Sequence, residues 1–502
     1  MVPSGTRPAL ALTAVLTALG GRYGFHRDEL YFVEAGRHPA FGYPDQPPLV
    51  PLLAAGWHTA VGGSLVGFRL LPAVVAGLVV LVAAATARAL GGTAREAEAA
   101  AAVVALCSAV TAIGHLFSTT VFDLLATSTV LLVLVRAVHP DGGAAPGAPA
   151  GGSRADLRRW LLVGLVAGVA LQVKTLPVLV LLACAAGLLV CGPRSVLRRP
   201  GPWLAAAVAA LLAAPTLLWQ NANGWPQADL SAAIAAGSSG TSVERWLVVP
   251  LQAELTGPVL AVPFVAGLVA LLRAPALRPY RWLGAGYLVL LALVVAAGGK
   301  PYYTVGMLPV LVAAGVPAVL RWADGVPGRW RTVATALAVH VAVSAVLTLP
   351  VLPVRALAAA QVTAVNYDAG ETVGWPRLVA TVSDAVAALP AADRARAVVL
   401  TENYGEAGAL SRARRAGAAL PPVHSGHNGY WRWGPPDEGA TPVVAVGFTD
   451  AALAGLLAGC RTVARVDNGV GLENDEQGAP VRVCAGPVRP WAQVWPDAER
   501  LG

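Results

Sequence analysis

The segment His26-Arg27-Asp28-Glu29-Leu30-Tyr31-Phe32 sets two acids side by side ahead of two aromatic rings. On a helix, consecutive side chains point about 100° apart, so Asp28 and Glu29 cannot face one reacting atom in the same way. Tyr31 and Phe32, at i+3 and i+4, share the face of Asp28. That gives a carboxylate beside aromatic surface at the membrane boundary. The same residues would also make an ordinary solvated loop helix. The chain then runs to Gly42-Tyr43-Pro44-Asp45-Gln46-Pro47-Pro48. Asp123, in Ser118-Thr119-Thr120-Val121-Phe122-Asp123, stands just inside an apolar run. Acids at that depth are costly and mark function by default, unless the residue simply caps its helix.

Lysine carries the sharper signal. Of 36 basic residues, only Lys174 and Lys300 are lysine. Both stand at ends of apolar runs, Lys300 within Gly298-Gly299-Lys300-Pro301-Tyr302-Tyr303. An ammonium group there suits a phosphate held at a membrane surface, although snorkelling of a helix-end lysine gives the same placement. Trp219-Gln220-Asn221 and Asn223-Gly224-Trp225-Pro226 form a cluster that an interfacial aromatic belt explains. Gly164 and Gly168 make a G-x-x-x-G pair, expected to report helix packing. Further on, Glu402-Asn403-Tyr404-Gly405-Glu406-Ala407-Gly408 joins a strand to a helix, a place where ligands bind. His424, His427 and Trp431 follow in a Gly-rich loop with no third metal ligand in view.

The elements that must position these groups are membrane helices. The chain is 56% hydrophobic and 13% charged, against about 25% charged in soluble domains. Apolar runs lie at 65–87, 97–114, 117–135, 160–173, 175–192, 203–219, 249–272, 282–298, 304–320 and 332–350. A shorter run at 8–21 is a signal peptide or a first span, which makes about 11 transmembrane helices. Pro47-Pro48 opens a short juxtamembrane helix. Alternate loops carry the arginines: Arg95; Arg136, Arg154, Arg158 and Arg159; Arg194, Arg198 and Arg199; Arg273, Arg278 and Arg281; Arg321, Arg329 and Arg331. Such loops are cytoplasmic. The loops 22–47 and 220–248, and everything after residue 351, then lie outside, with Asp28 and both lysines on one side. Residues 138–153 read as a flexible cytoplasmic linker.

Beyond residue 350 the pattern changes. Of 36 basic and 28 acidic residues, 13 and 15 follow residue 354, so this part carries −2 and the rest +10. The positive charge therefore belongs to short membrane loops and is no sign of nucleic-acid binding. Strand-like runs at 396–401, 441–447, 461–466 and 481–484, with helical stretches to Arg415 and at 451–458, predict a small α/β domain. The expected organisation is a transmembrane domain over 1–350 and a soluble extracytoplasmic domain over 351–502. The fold class is mostly α, polytopic, with a small C-terminal α/β domain. Cys460 and Cys484 sit at neighbouring strand ends on the oxidising side, so a disulfide between them is expected.

The ordered set Asp28-Glu29, Gly42-Tyr43 to Pro47-Pro48, Arg69-Leu70-Leu71-Pro72, Asp123, Lys174 and Lys300-Pro301-Tyr302-Tyr303 resembles glycosyltransferase family 39. These are membrane mannosyltransferase-like enzymes of the C-type glycosyltransferase superfamily, a group that includes the aminoarabinose transferases of lipid A. The resemblance covers roughly residues 20–350, and the tail is similar to that of bacterial members with an appended outer domain. It implies inverting transfer of a sugar from a polyprenyl-phosphate donor to an extracytoplasmic acceptor. Asp28, Glu29 and Asp123 would be the catalytic acids, with Asp28 the general base. Lys174 and Lys300 would contact phosphate, and Tyr302, Tyr303, Arg69 and Tyr43 would line the substrate. The implied partners are the lipid-linked donor, the lipid bilayer and an acceptor, with no nucleic acid. No cofactor is required by this reading; a divalent cation stays open, and no residue is assigned to a metal. The implied location is the plasma membrane, multi-pass, with active site and C-terminal domain extracytoplasmic. Two other classes share this composition. A transporter or lipid flippase would place ionisable groups at mid-depth in broken helices. A membrane-anchored binding protein would carry its recognition in the outer α/β domain.

Overall fold

A computed structural model describes residues 3–140 and 153–502. Most of the expected linker at 138–153 lies outside the described residues. Six helices are long and apolar enough to cross a membrane: Leu65–Ala89, Thr119–Val138, Pro200–Ala222, Pro275–Ala297, Pro301–Asp324 and Arg329–Thr348. Two further pairs pass only together: Ala94–Leu106 with Ser108–Gly114, bent by 61°, and Arg245–Thr256 with Ala261–Arg273, bent by 113°. Among the described residues the count by length and composition is thus six, or eight with the bent pairs, where about eleven are expected. Thr6–Leu19 has 14 residues and Pro177–Cys191 has 15. At 1.5 Å per residue they reach only roughly 21–23 Å, short of the hydrocarbon core. Arg154–Val173 opens with Arg154, Asp156, Arg158 and Arg159 in its first turns.

Each bend has a local cause. Cys107 is extended between the first pair of helices. In the second pair Gly257 has φ +82°, and a Cβ there would meet the His340 ring at 2.2 Å; only glycine fits such a left-handed position in so tight a space. The pair Gly164 and Gly168 does pack a helix, as its spacing predicts. A Cβ at Gly164 would lie 2.7 Å from the Ala205 carbonyl oxygen, and one at Gly168 would lie 2.5 Å from Leu212, so Arg154–Val173 and Pro200–Ala222 touch nearly backbone to backbone.

After Pro350 the chain builds a sheet. β1 (Val398–Thr401), β2 (Val423–Ser425) and β3 (Val443–Val446) run parallel in the order β2-β1-β3. β4 (Leu457–Ala458) pairs separately with β7 (Gly486–Pro487). β5 (Arg461–Arg465) and β6 (Pro480–Cys484) extend the main sheet antiparallel, giving β2-β1-β3-β6-β5. β1 and β3 are buried at every position, as strands covered on both faces must be. Helix Trp375–Ala387, absent from the sequence reading, covers β3, β5 and β6. Cys460 and Cys484 are joined by a disulfide.

The carboxyl end of β1 positions the rest. Asn403 accepts from the Glu406 amide while Glu406 accepts from the Asn403 amide, a capping box that starts the helix Tyr404–Arg415 at that point. This Tyr404 helix lies on the Asp28 helix, Arg27–Arg37. A Cβ at Gly405 would meet Arg27 at 2.8 Å, and one at Gly408 would meet Leu30 at 2.8 Å. Trp375 Nε1 adds a hydrogen bond to the Phe25 carbonyl at 2.7 Å.

Candidate active site

The Asp28 helix is fixed by Glu29. Its carboxylate accepts the His26 amide at 2.8 Å, closing a capping box at the helix start. It also accepts Arg69 Nε at 2.9 Å and Nη2 at 2.8 Å, and the Phe117 amide at 2.9 Å. Burial works against the charge, but Arg69 and these hydrogen bonds hold the Glu29 carboxyl below its ordinary range. Arg69 donates its remaining protons to the carbonyls of Gly20, Arg22 and Gly24. Glu29 is 0% exposed and Arg69 1%, so the polar atoms of both are committed to protein partners. The expected catalytic role of Glu29 and substrate contact of Arg69 are therefore not what the geometry offers. Tyr43 is corrected likewise: it is buried and donates to the carbonyls of Ala35 and His38, satisfying the far end of the same helix.

Asp28 is left differently. It stays partly exposed and accepts one side-chain hydrogen bond, from Tyr404 Oη at 2.8 Å. Tyr404 is held by a tilted contact with Tyr31, ring centroids 4.8 Å apart, and by the Arg27 guanidinium 5.1 Å from its ring. Arg27 is itself clamped by Tyr367, Glu371 and Asp475. Tyr31 donates to Asp45 at 2.8 Å and accepts the Gly429 amide at 3.1 Å. Burial lifts Asp45 to about 7, against the Tyr31 hydrogen bond and helped by the charge of Asp28. His26 lies 3.5 Å from Asp368. Burial opposes its charge, yet Asp368, Asp28 and Glu29 together carry His26 up to about 9.

The lysines meet in the same neighbourhood. Lys174 Nζ is 5.3 Å from the Tyr302 ring centre and 5.7 Å from that of Tyr303; Lys300 Nζ is 5.9 Å from Tyr302. Lys300 donates to Ser239 at 2.6 Å, and Lys174 reaches Thr120 at 3.5 Å. Asp123 is buried, accepts from Thr127 at 3.0 Å and faces the field of Lys174. Burial and Lys174 pull Lys300 down to about 8, against the fields of Asp28 and Asp368. The structure thus gathers Asp28, Asp123, Lys174, Lys300, Tyr302 and Tyr303, and adds Tyr404, His26, Asp45, Asp368 and Ser239 to them. Gln220 and Asn223 of the tryptophan cluster tie inward instead, to the Tyr43 carbonyl and to Arg432. His427 binds the Gly502 carbonyl and His424 that of Gly434. Among the described residues, no group of three or more His, Cys, Asp or Glu is arranged around a metal-sized site.

Residues 45–219 match the family described as dolichyl-phosphate-mannose-protein mannosyltransferase. The fold is similar to that of ArnT from Cupriavidus metallidurans bound to undecaprenyl phosphate, at 19% identity and a TM-score of 0.58, covering 95% of this chain and 97% of that one. The apo form of the same protein aligns at 17% identity with a TM-score of 0.59 over the same shares. No curated protein matches the sequence. The chain has the C-type glycosyltransferase fold. Within this C-type fold the matched segment holds Asp45, Arg69, Asp123 and Lys174, while Asp28, Lys300, Tyr302, Tyr303 and Tyr404 lie outside it.

Proposed function

We propose that the chain is a multi-pass plasma-membrane glycosyltransferase that moves a sugar, with inversion, from a polyprenyl-phosphate donor to an extracytoplasmic acceptor. The observation that supports this reading is that the part-exposed Asp28 carboxylate lies within electrostatic reach of the only two lysines of the chain, which share the Tyr302 ring. An acceptor hydroxyl is a poor nucleophile, so Asp28 takes its proton as the new bond to the anomeric carbon forms. The bond from that carbon to the phosphate oxygen breaks on the opposite side. Its electron pair leaves with the phosphate, whose growing charge Lys174 and Lys300 stabilise. Tyr404 occupies one oxygen of Asp28 and leaves the other for the acceptor. Asp123 balances Lys174 as the second acid. The arginine alternation and the Cys460–Cys484 disulfide support an extracytoplasmic site.

The two bent helix pairs favour a second reading, a transporter with broken helices. Against it, Lys174 and Lys300 cap helices and Asp28 stands in a helix's first turn, away from mid-span. Purified protein offered a panel of polyprenyl-phosphate sugars separates the two. Transfer with inverted stereochemistry supports the enzyme; lipid movement across vesicles without transfer supports the transporter.

A further inference from the structure

The Asp28 helix has another face. Asp28 turns to Tyr404 and Tyr31 to Asp45, but Leu30, Val33 and Arg37 form a second stripe along it. A cavity of about 210 Å³ opens there, walled also by Phe25, by His58 of the helix Leu49–Ala60, and by Arg412 and Arg415 of the Tyr404 helix. Its charge is unbalanced. Glu34 pairs with Arg415 at 2.5 Å, and Glu29 on the floor is already matched by Arg69. Among the described residues, two of the three arginine charges therefore have no acidic partner. The three guanidiniums converge: burial, then the charges of Arg412, Arg37 and Arg415, hold the His58 imidazole below its ordinary range. Arg412 is fixed over the Phe25 ring at 4.5 Å.

Gathered guanidiniums repel one another, and an anion among them removes that repulsion. The arginine fork matches the oxygens of a phosphate in pairs. The helix that supplies His58 also exposes Leu52 at 43% and Leu53 at 37%, apolar surface suited to acyl chain. We infer that this cavity is a binding site for a phosphate-bearing anion, the headgroup of an anionic phospholipid or free phosphate, separate from the transfer site. The inference does not depend on the transfer reaction.

The test uses the full-length protein, delipidated in detergent. It is exchanged into phosphatidylcholine vesicles with or without phosphatidylglycerol, and separately into buffer with inorganic phosphate. Retained lipid and phosphate are read by native mass spectrometry. The wild type should retain phosphatidylglycerol in preference to phosphatidylcholine. The variant Arg37→Gln/Arg412→Gln/Arg415→Gln should lose that preference by about a hundredfold, and Arg412→Gln alone by about tenfold. The triple Arg→Lys variant should recover part of it. Arg394→Gln/Arg396→Gln/Arg461→Gln removes equal charge from other surface and should change nothing. Retention of phosphatidylglycerol unaffected by phosphate identifies the lipid as the ligand; binding of phosphate alone identifies the free anion. Equal retention by wild type and Arg412→Gln, or equal loss in the remote triple, overturns the site.

Discussion

Asp28 and Glu29 are consecutive carboxylates on one helix turn, and the two regions they enter could hardly differ more. Glu29 accepts four hydrogen bonds, from two Arg69 nitrogens and the amides of His26 and Phe117, in a region with no exposure. Asp28 accepts one side-chain bond, from Tyr404, stays partly exposed, and its charge acts on both lysines. A charge with every lone pair engaged holds geometry, whereas one left partly unsatisfied is available for chemistry. The lock at Glu29 serves the site at Asp28, because it fixes the helix start on which both stand.

Breaking the lock should have the largest effect. Glu29→Gln or Arg69→Met leaves its partner buried and unpaired, and should cost about 3–5 kcal/mol, read as a collapse of thermal stability and of folded yield. Glu29→Met/Arg69→Met should recover much of that loss, because no lone charge remains. On the other side, Lys300→Gln or Lys174→Gln should lower kcat/KM for the donor by about a hundredfold at nearly unchanged melting temperature. With Lys300 titrating at about 8, its ammonium is present below that pH and lost above it. Donor kcat/KM should therefore fall as pH rises through about 8, and Lys300→Arg should flatten that limb. Tyr404→Phe should slow transfer by about tenfold. It should be non-additive with Asp28→Asn, which shared action on one carboxylate requires. The smallest effect is at His26. Its pKa is raised from 6.5 to about 9, so its stabilisation is fully present below pH 6.5 and gone above about 9. Asp368 is half exposed, which limits the size to on the order of 1 kcal/mol. His26→Gln should flatten the stability profile across that window.

Spacing and residue type made much of this legible. The two lysines and Asp123 drew attention because rare charges at helix ends stand out against apolar runs, and the structure gathers them. The division of labour between Asp28 and Glu29 was also written in the chain. Glu29 stands three residues after His26, the capping-box spacing, and Arg69 stands in the apolar body of a long helix, where it needs a buried partner. Tyr404 could not be paired with Asp28 from spacing, since 376 residues separate them; only the packing of one helix on another brings them together. Hydropathy windows passed over the bends because an apolar run continues through them. Gly257-Pro258 was the local clue to the sharper one. Three-residue β2 is too short to leave a periodic trace.

The central claim is that Asp28, and not its neighbour, takes the proton of the acceptor. Asp28→Asn keeps the size of the side chain and removes its basicity. In folded, membrane-inserted protein with wild-type melting temperature and unchanged donor binding, it should reduce sugar transfer by about 10²–10⁴. Near-normal turnover by that variant would contradict the account and return the role to another acid of the cluster.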